Sequence, residues 1–410
     1  VVFFPGDLFG SKIGGIRSFV WDFIKFMPED FAVTVVGCSD DAAARPVDTP
    51  QLVAIDGREV TYYPILGRRP GEWRTRLPLT LRFGVAARAR ATRLVRAGDV
   101  VQLHDLGTAL CLRHVPAPKV YVSHVDPRSL AHGQGESRWR YLPGLLPIVE
   151  SLALGAVDRI FAVDRRTLRY YLDRGFSAAT EDSFLPTSVD RSLFRPYGLS
   201  ERVRCREELA AKLGIEAGAL GKVVVFVGRL ELQKDPELLL RAYRVAARTE
   251  HLRLVVAGDG SMRTGLERLA HQLGIAGHVH WLGRVSHEQL PRLLNAADVF
   301  VLTSRFEGMP IALLEALACG LPAVAPAVGE VPLVLSDGQN GRVVVDRSPE
   351  GFADAISWVL AAPAEQLSAA AAAAAEKFDS RTSYSSFYGA HRALAEAVLR
   401  GESRPYELRR

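Results

Sequence analysis

Short apolar runs rich in valine alternate along this chain with segments whose apolar residues recur every three or four positions. The runs are apolar on both alternating sets of positions. They therefore read as strands buried on both faces of a parallel sheet, and the segments between them as amphipathic helices. In the first half the predicted strands are Val1–Phe4, Ala32–Gly37, short pieces near 52–55 and 60–63, Val100–Leu103, Val120–Ser123 and Asp158–Val163. Ile16 to Met27 is a predicted helix, with Ile16, Phe19, Val20, Phe23 and Ile24 at helical spacing, and Arg165–Arg174 is another. Arg138 to Gly155 is apolar, carries Trp139 and Tyr141, and is interrupted by Pro143 and Pro147. It reads either as an acceptor-side or membrane-facing surface or as a core helix with a proline start.

Residues 197–220 are polar and helical and read as a linker, after which a second series begins. Its strands are Val223–Val227, Arg253–Ala257, His278–Trp281, Val299–Leu302 and Ala323–Ala325. Turns follow them at Gly228-Arg229-Leu230, Gly258-Asp259-Gly260, Gly283-Arg284-Val285 and Gly329-Glu330-Val331-Pro332. Asp235 before Pro236 predicts an N-cap with proline in the first helical position. Ser286 and Gln289 give a capping-box pattern for a helix over 287–296. The alanine-rich run Leu367–Phe378 is strongly helix-forming. Phe378, Tyr384, Phe387 and Tyr388 after it predict a packed C-terminal helix. Two βα series of similar size argue for two doubly wound parallel-sheet domains facing across a cleft.

Composition narrows the class. The chain has 410 residues, 48% of them hydrophobic, enough for two or three domains with sizeable cores. No apolar run reaches the roughly 18 residues a membrane span needs. The chain begins at Val1, and the apolar Val1–Phe4 gives way to Pro5, Gly6 and Asp7, without the basic start and long apolar body of a signal peptide. Cys38, Cys111, Cys205 and Cys319 are far apart and have no metal-ligand spacing, so a reduced cytoplasmic protein without disulfides is expected. The net charge is +5, and between Arg68 and Arg96 nine arginines stand against one acid, Glu72. Such a stretch fits a solvated helix face, an anionic lipid surface or a phosphorylated substrate. No aromatic interleaving supports nucleic acid.

The candidate chemistry centres on Val299 to Pro322. A buried strand delivers the polar loop Thr303–Glu307 to a helix carrying Ile311, Leu313, Leu314 and Leu317 and closed by Gly320 and Pro322. Free N–H groups and the dipole at that helix end favour a phosphate, and Gly308 allows close approach. Glu307 and Glu315 are eight residues apart, roughly on one face, and can bracket a ligand. The plain alternative is an ordinary strand–loop–helix with two solvated glutamates. Gly10, Gly14 and Gly15 lie between a strand and a helix, an arrangement that can cradle a diphosphate or simply turn the chain. Two predicted strands end in histidines, His104 before Asp105 and His124 near Asp126. Strand ends line the crevice of an open parallel sheet, although a histidine there is often structural.

Taken together, VGRLELQKD, VVAGDG, WLGRVSHEQL, ADVFVLTSRFEGMPIALLEAL and GLPAVA resemble the retaining glycosyltransferases of family 4 (glycosyl transferases group 1). The likeness is strongest from Val223 to Val345, and residues 1–190 match in layout. The resemblance implies the GT-B fold: an acceptor-side Rossmann-like domain over 1–196, a donor-binding domain over 197–379, and a C-terminal helix near 380–410 packing back on the first. Glu307, His124, Arg229 and Lys234 would be catalytic. Arg229 and Lys234 would bind the donor diphosphate and neutralise the leaving group. Glu307 would contact the transferred sugar, Glu315 the ribose hydroxyls, and His124 would lie near the reacting sugar. Gly14 and Gly15 would approach the diphosphate from the other domain, and Arg284 and Val285 would position the base. Gly228, Gly258, Gly308, Met309 and Ile311 complete the implied donor site.

No metal or cofactor is implied; the co-substrate is a UDP-, GDP- or ADP-sugar, and configuration is retained by front-face attack. The implied acceptor is a saccharide or lipid-linked acceptor of the cell envelope, with peripheral contact to the inner face of the membrane through the basic stretch and no nucleic-acid partner. Transfer to a soluble small acceptor such as an inositol phosphate is the alternative, and a non-catalytic nucleotide-binding protein is a third. The chain departs from the family where Thr187-Ser188 precedes Val189-Asp190, and at Pro310, which cannot donate a backbone hydrogen bond.

Overall fold

The computed structural model describes residues 1–10, 15–67, 78–124, 126–128, 143–248 and 251–401. The chain forms two compact units, Val1–Pro186 with Arg381–Arg410, and Thr187–Ser380.

The first unit holds strands β1 (Val2–Phe3), β2 (Thr34–Ser39), β3 (Gln51–Ile55), β4 (Arg58–Gly67), β5 (Val101–Leu103), β6 (Lys119–Ser123) and β7 (Arg159–Ala162) in the order β3-β4-β2-β1-β5-β6-β7. Every neighbouring pair is parallel except β3–β4. That pair is joined by Asp56-Gly57, both at positive φ (46° and 82°). A two-residue turn of this kind matches the twist of a hairpin and cannot make a parallel crossover. Without this edge strand the order is that of a doubly wound sheet reversing between β1 and β5.

Helices α1 (Gly15–Lys25), α2 (Leu79–Leu94), α3 (Leu106–Leu112), α4 (Leu146–Leu154) and α5 (Arg165–Asp173) belong to this unit. So does the helix Ser385–Leu399 near the end of the chain. Its Phe387 and Tyr388 are buried with Phe19 and Phe23 of α1, and the Tyr388 hydroxyl donates to the Phe23 carbonyl at 2.7 Å.

The second unit holds β8 (Lys222–Val227), β9 (Leu252–Ala257), β10 (Val279–Gly283), β11 (Val299–Val301), β12 (Ala323–Pro326) and β13 (Gly341–Val344) in the order β10-β9-β8-β11-β12-β13, all parallel. The reversal falls between β8 and β11. Alternation along β8 explains its unbroken apolar run: Val223 and Val225 enter one core, Val224 and Phe226 the other. Helices α6 (Leu199–Leu213), α7 (Pro236–Ala246), α8 (Arg263–Gln272), α9 (Leu290–Ala296), α10 (Ile311–Ala318), α11 (Pro349–Ala361) and α12 (Ala364–Glu376) surround this sheet.

Residues 187–196, expected with the first half, pack in the second unit. Phe194 is fully buried in the core that holds Leu313, and Val189 donates its N–H to the Phe378 carbonyl at 2.9 Å. The Ser380 N–H returns a bond to the Val189 carbonyl at 3.0 Å, so the departure from the family at Thr187-Ser188 lies where two chain segments pair.

Two local expectations are corrected. No side-chain cap forms on α9, which starts at Leu290, and the Ser286 carbonyl accepts from the N–H groups of Gln289 and Leu290 instead. Asp235 does precede α7, but at φ 48° and without a side-chain cap, because its carboxylate is taken by two arginines. No helix of the described residues is long and apolar enough to cross a membrane.

Candidate functional site

The carboxyl ends of β8, β9 and β10 are drawn together through glycine backbone. Gly228 donates its N–H to the Ala257 carbonyl at 3.0 Å, and Gly258 donates to the Gly283 carbonyl at 2.7 Å. A Cβ on Gly258 would lie 1.8 Å from the Gly228 carbonyl oxygen, so only glycine fits. Arg229 follows directly at the switch point, exposed and with no side-chain partner among the described residues. Arg284 is exposed after β10, and Val285 packs partly against the core.

β11 delivers the loop 303–309 to the same sheet edge, where it is clamped to the Gln233–Asp235 turn. The Thr303 hydroxyl donates to the carbonyls of Lys234 (2.9 Å) and Asp235 (3.0 Å). Arg305 donates its N–H to the Gln233 carbonyl at 2.8 Å, and the Gln233 amide donates to the Phe306 carbonyl at 3.1 Å. Arg347 ties the arrangement from behind: it donates to the carbonyls of Ser304 (2.9 Å) and Thr303 (3.0 Å) and to Asp235 Oδ2 (2.9 Å). Gly329 presses on the loop from the other side, where a Cβ would meet the Glu307 and Gly308 carbonyl oxygens at 2.2 and 2.4 Å.

This clamp brings Lys234 Nζ to 2.6 Å from Glu307 Oε1, and the Ser304 hydroxyl donates to the same oxygen. Both charged side chains are largely buried, at 16% and 8% exposure. Glu307 Oε2 accepts no bond from the described residues.

Beyond the loop, Met309 is buried in the core, Pro310 is the N-cap residue and Ile311 opens α10. The first N–H groups of that helix have no carbonyl of their own to bond and are available to an anion. Glu315, within α10, is 5% exposed and accepts from His287 Nε2 at 3.0 Å. The His287 ring stands edge-on to Phe194 at 4.9 Å. The two glutamates therefore do not share a helix face. Glu307 precedes the helix and faces Lys234, and neither carboxylate is a solvated surface group. Of the supporting residues, Gln233 and His287 lie inside the motifs that carry the resemblance but had no role assigned to them, and Arg347 was not singled out. Gly329 was visible only as a turn.

In the first unit, two strand-end histidines meet. The Gln102 side-chain amide lies 2.9 Å from His104 Nε2, and His104 Nδ1 lies 2.9 Å from His124 Nε2. An amide N–H donating at the first contact places the His104 proton on Nδ1, which donates to His124, whose own proton then sits on Nδ1. Burial pushes both histidines down, His124 to about 3, so both rings are neutral at pH 7. The neighbouring carboxylates go elsewhere. Asp105 caps α3 by accepting from the Thr108 N–H at 2.8 Å, and burial raises it to about 6. Asp126 pairs with Arg128 and Arg166. Gly15 opens α1, while Gly14 lies outside the described residues, as do Arg68, Arg69, Arg74 and Arg76 of the basic stretch. Among the described residues no group of three or more His, Cys, Asp or Glu is arranged to hold a metal ion.

Comparison with known proteins follows the same division. Residues 206–378 match the model of "Glycosyl transferases group 1", and residues 13–191 that of "Glycosyltransferase Family 4". The chain belongs to the family 4, group 1 glycosyltransferases. A D-inositol 3-phosphate glycosyltransferase of Mycolicibacterium paratuberculosis is 32% identical over 265 residues, 63% of this chain and 57% of that one. The chain spans about half the length of the curated relatives it matches. Among solved structures, sucrose-phosphate synthase from Thermosynechococcus elongatus superposes with a TM-score of 0.78 at 19% identity, covering 97% of this chain and 98% of that one. The Anabaena protein HepE in complex with UDP and glucose gives 0.70 at 18% identity, over 96% and 99%. The fold of this family 4 member is GT-B.

Proposed function

We propose that this family 4 member transfers a sugar from a nucleoside diphosphate sugar to an acceptor hydroxyl with retention of configuration. The observation that carries the reading is the Lys234–Glu307 pair held at the switch point beside the unpartnered Arg229. When the bond from the anomeric carbon to the diphosphate oxygen breaks, negative charge grows on the leaving nucleotide. Arg229, Lys234 and the start of α10 supply the positive charge and free N–H groups that would stabilise it without a metal. The acceptor oxygen bonds to the anomeric carbon on the same face, and its proton passes to the departing phosphate oxygen. Glu307 contacts the transferred sugar, Glu315 the ribose, Arg284 and Val285 the base, and the glycines Gly228, Gly258 and Gly308 give room for close approach. Met309 and Ile311 contribute backbone, and His124 is the first unit's candidate for the sugar.

A saccharide or lipid-linked saccharide is the acceptor under this reading. The names of the relatives favour a second one, a soluble phosphorylated sugar or polyol. A thermal-shift panel with UDP, GDP and ADP, each with magnesium or EDTA, tests the donor site. One base should stabilise the protein equally in both, by about 2.7 kcal/mol at 100 times its dissociation constant. No shift with any nucleotide or intact sugar nucleotide would sink the proposal.

A further inference from the structure

The side-chain hydrogen bonds at the carboxyl ends of β5 and β6 run in one direction. Gln102 Nε2, His104 and His124 stand in series, with 2.9 Å at both contacts. Gln102 and His104 are buried, and Phe19 of α1 stands edge-on to both imidazoles, at 5.7 and 5.0 Å. The amide turns its N–H groups, which can only donate, towards His104, while its Oε1 is buried without a partner among the described residues. His104 therefore meets the amide with the lone pair of Nε2 and donates from Nδ1 to His124 Nε2. The alternatives are opposed. A proton on His124 Nε2 would face the His104 N–H, and moving the His104 proton to Nε2 would face the amide. An imidazolium at either ring meets the same head-on contacts.

The outer end of the series is open. His124 is only half-buried, and its Nδ1 has no hydrogen-bond partner among the described residues. The nearby carboxylates are engaged, Asp105 by the Thr108 N–H and Asp126 by Arg128 and Arg166. β5 borders the reversal in strand order and β6 lies next to it, and open sheets of this kind take ligands at the strand ends there. An N–H held at such a place without a partner calls for an acceptor oxygen. The geometry points to Gln102 and His104 as positioning residues that hold His124 in its Nδ1–H form, a fixed donor to an oxygen of the bound ligand. On the proposed function, on which this identity rests, that oxygen belongs to the sugar. With Nε2 occupied and Nδ1 protonated, His124 has no lone pair with which to take a proton from an acceptor hydroxyl. Its part is to orient the sugar.

The test is nitrogen NMR of the full chain with isotope-labelled histidine, which reads the nitrogen that carries the proton in each ring. Signals are assigned by their loss in His104→Gln and His124→Gln. Wild-type His104 and His124 should both be neutral and protonated on Nδ1. In Gln102→Met the thioether cannot donate, so His104 is released and His124 should lose its single Nδ1–H form. Nucleotide release from UDP-, GDP- and ADP-glucose should then show kcat falling about tenfold for the sugar nucleotide that is used, with a smaller change in KM. A wild-type His124 protonated on Nε2 overturns the inference, whether or not the variant folds. So does a Gln102→Met chain in which His124 keeps its form, or one in which the form changes and kcat does not. A wild type that shows the Nδ1–H form but turns over no sugar nucleotide would instead overturn the proposed function, and the positioning of His124 would stand.

Discussion

Lys234 and Glu307 neutralise each other at low exposure, so removing one partner strands the other. In Lys234→Met the Glu307 carboxylate keeps only the Ser304 hydroxyl on Oε1. On the proposed function, transfer should fall by about 10²- to 10³-fold in kcat, with a lowered melting temperature, because an uncompensated buried charge remains. A variant with full kcat would remove Lys234 from the mechanism. A second residue-scale prediction concerns His391 of the last helix, whose Nδ1–H donates to the Phe387 carbonyl at 2.8 Å. Burial lowers it from 6.5 to about 4. The unfolded chain therefore binds a proton through that window and the folded one does not, so this contribution to stability is present above pH 6.5 and is lost as the pH falls towards 4. His104 and His124 act with the same sign and Asp105 with the opposite one, so the measurement must be a difference. Urea unfolding should show the wild type losing about 3 kcal/mol more than His391→Leu over that range. Equal losses would show that His391 does not titrate as its burial implies.

At the scale of elements, the loop between β11 and α10 owes its shape to a side chain far along the chain. Arg347, 112 residues after Asp235, supplies hydrogen bonds to two loop carbonyls and to that carboxylate. Arg347→Ala should destabilise the second unit by about 1–3 kcal/mol through these lost partners. If the loop carries the donor, KM for the sugar nucleotide should rise by roughly tenfold with a smaller change in kcat. Steady-state kinetics beside denaturant unfolding separates the two effects, and unchanged KM would mean that Gln233 and Thr303 hold the loop alone. The hairpin β3–β4 carries a related lesson. Its two short apolar runs were visible, and Asp56-Gly57 was the local cue that they pair antiparallel.

For the molecule as a whole, each unit has its own sheet and its own pair of cores. Calorimetry should therefore resolve two transitions. UDP, if it is the base recognised, should move chiefly that of residues 187–380. A single transition that UDP moves as a unit would show that the two parts unfold cooperatively.

Periodicity was enough to expose two αβ series, because valine runs buried on both faces and helices with one apolar side are written locally. The glycines at strand ends and the two glutamates were equally plain, since each answers a local demand of backbone approach or a motif spacing. Pairing was not. Lys234 with Glu307, Arg347 with Asp235, His287 with Glu315 and Gln102 with His104 and His124 are joined by strand order, which brings together residues distant in sequence. Nor could periodicity assign Phe194 to its core or aim the carboxylate of Asp235. An amphipathic pattern states that a side chain must be buried or charged at its position. Only the folded sheet, by choosing its neighbours, states against what.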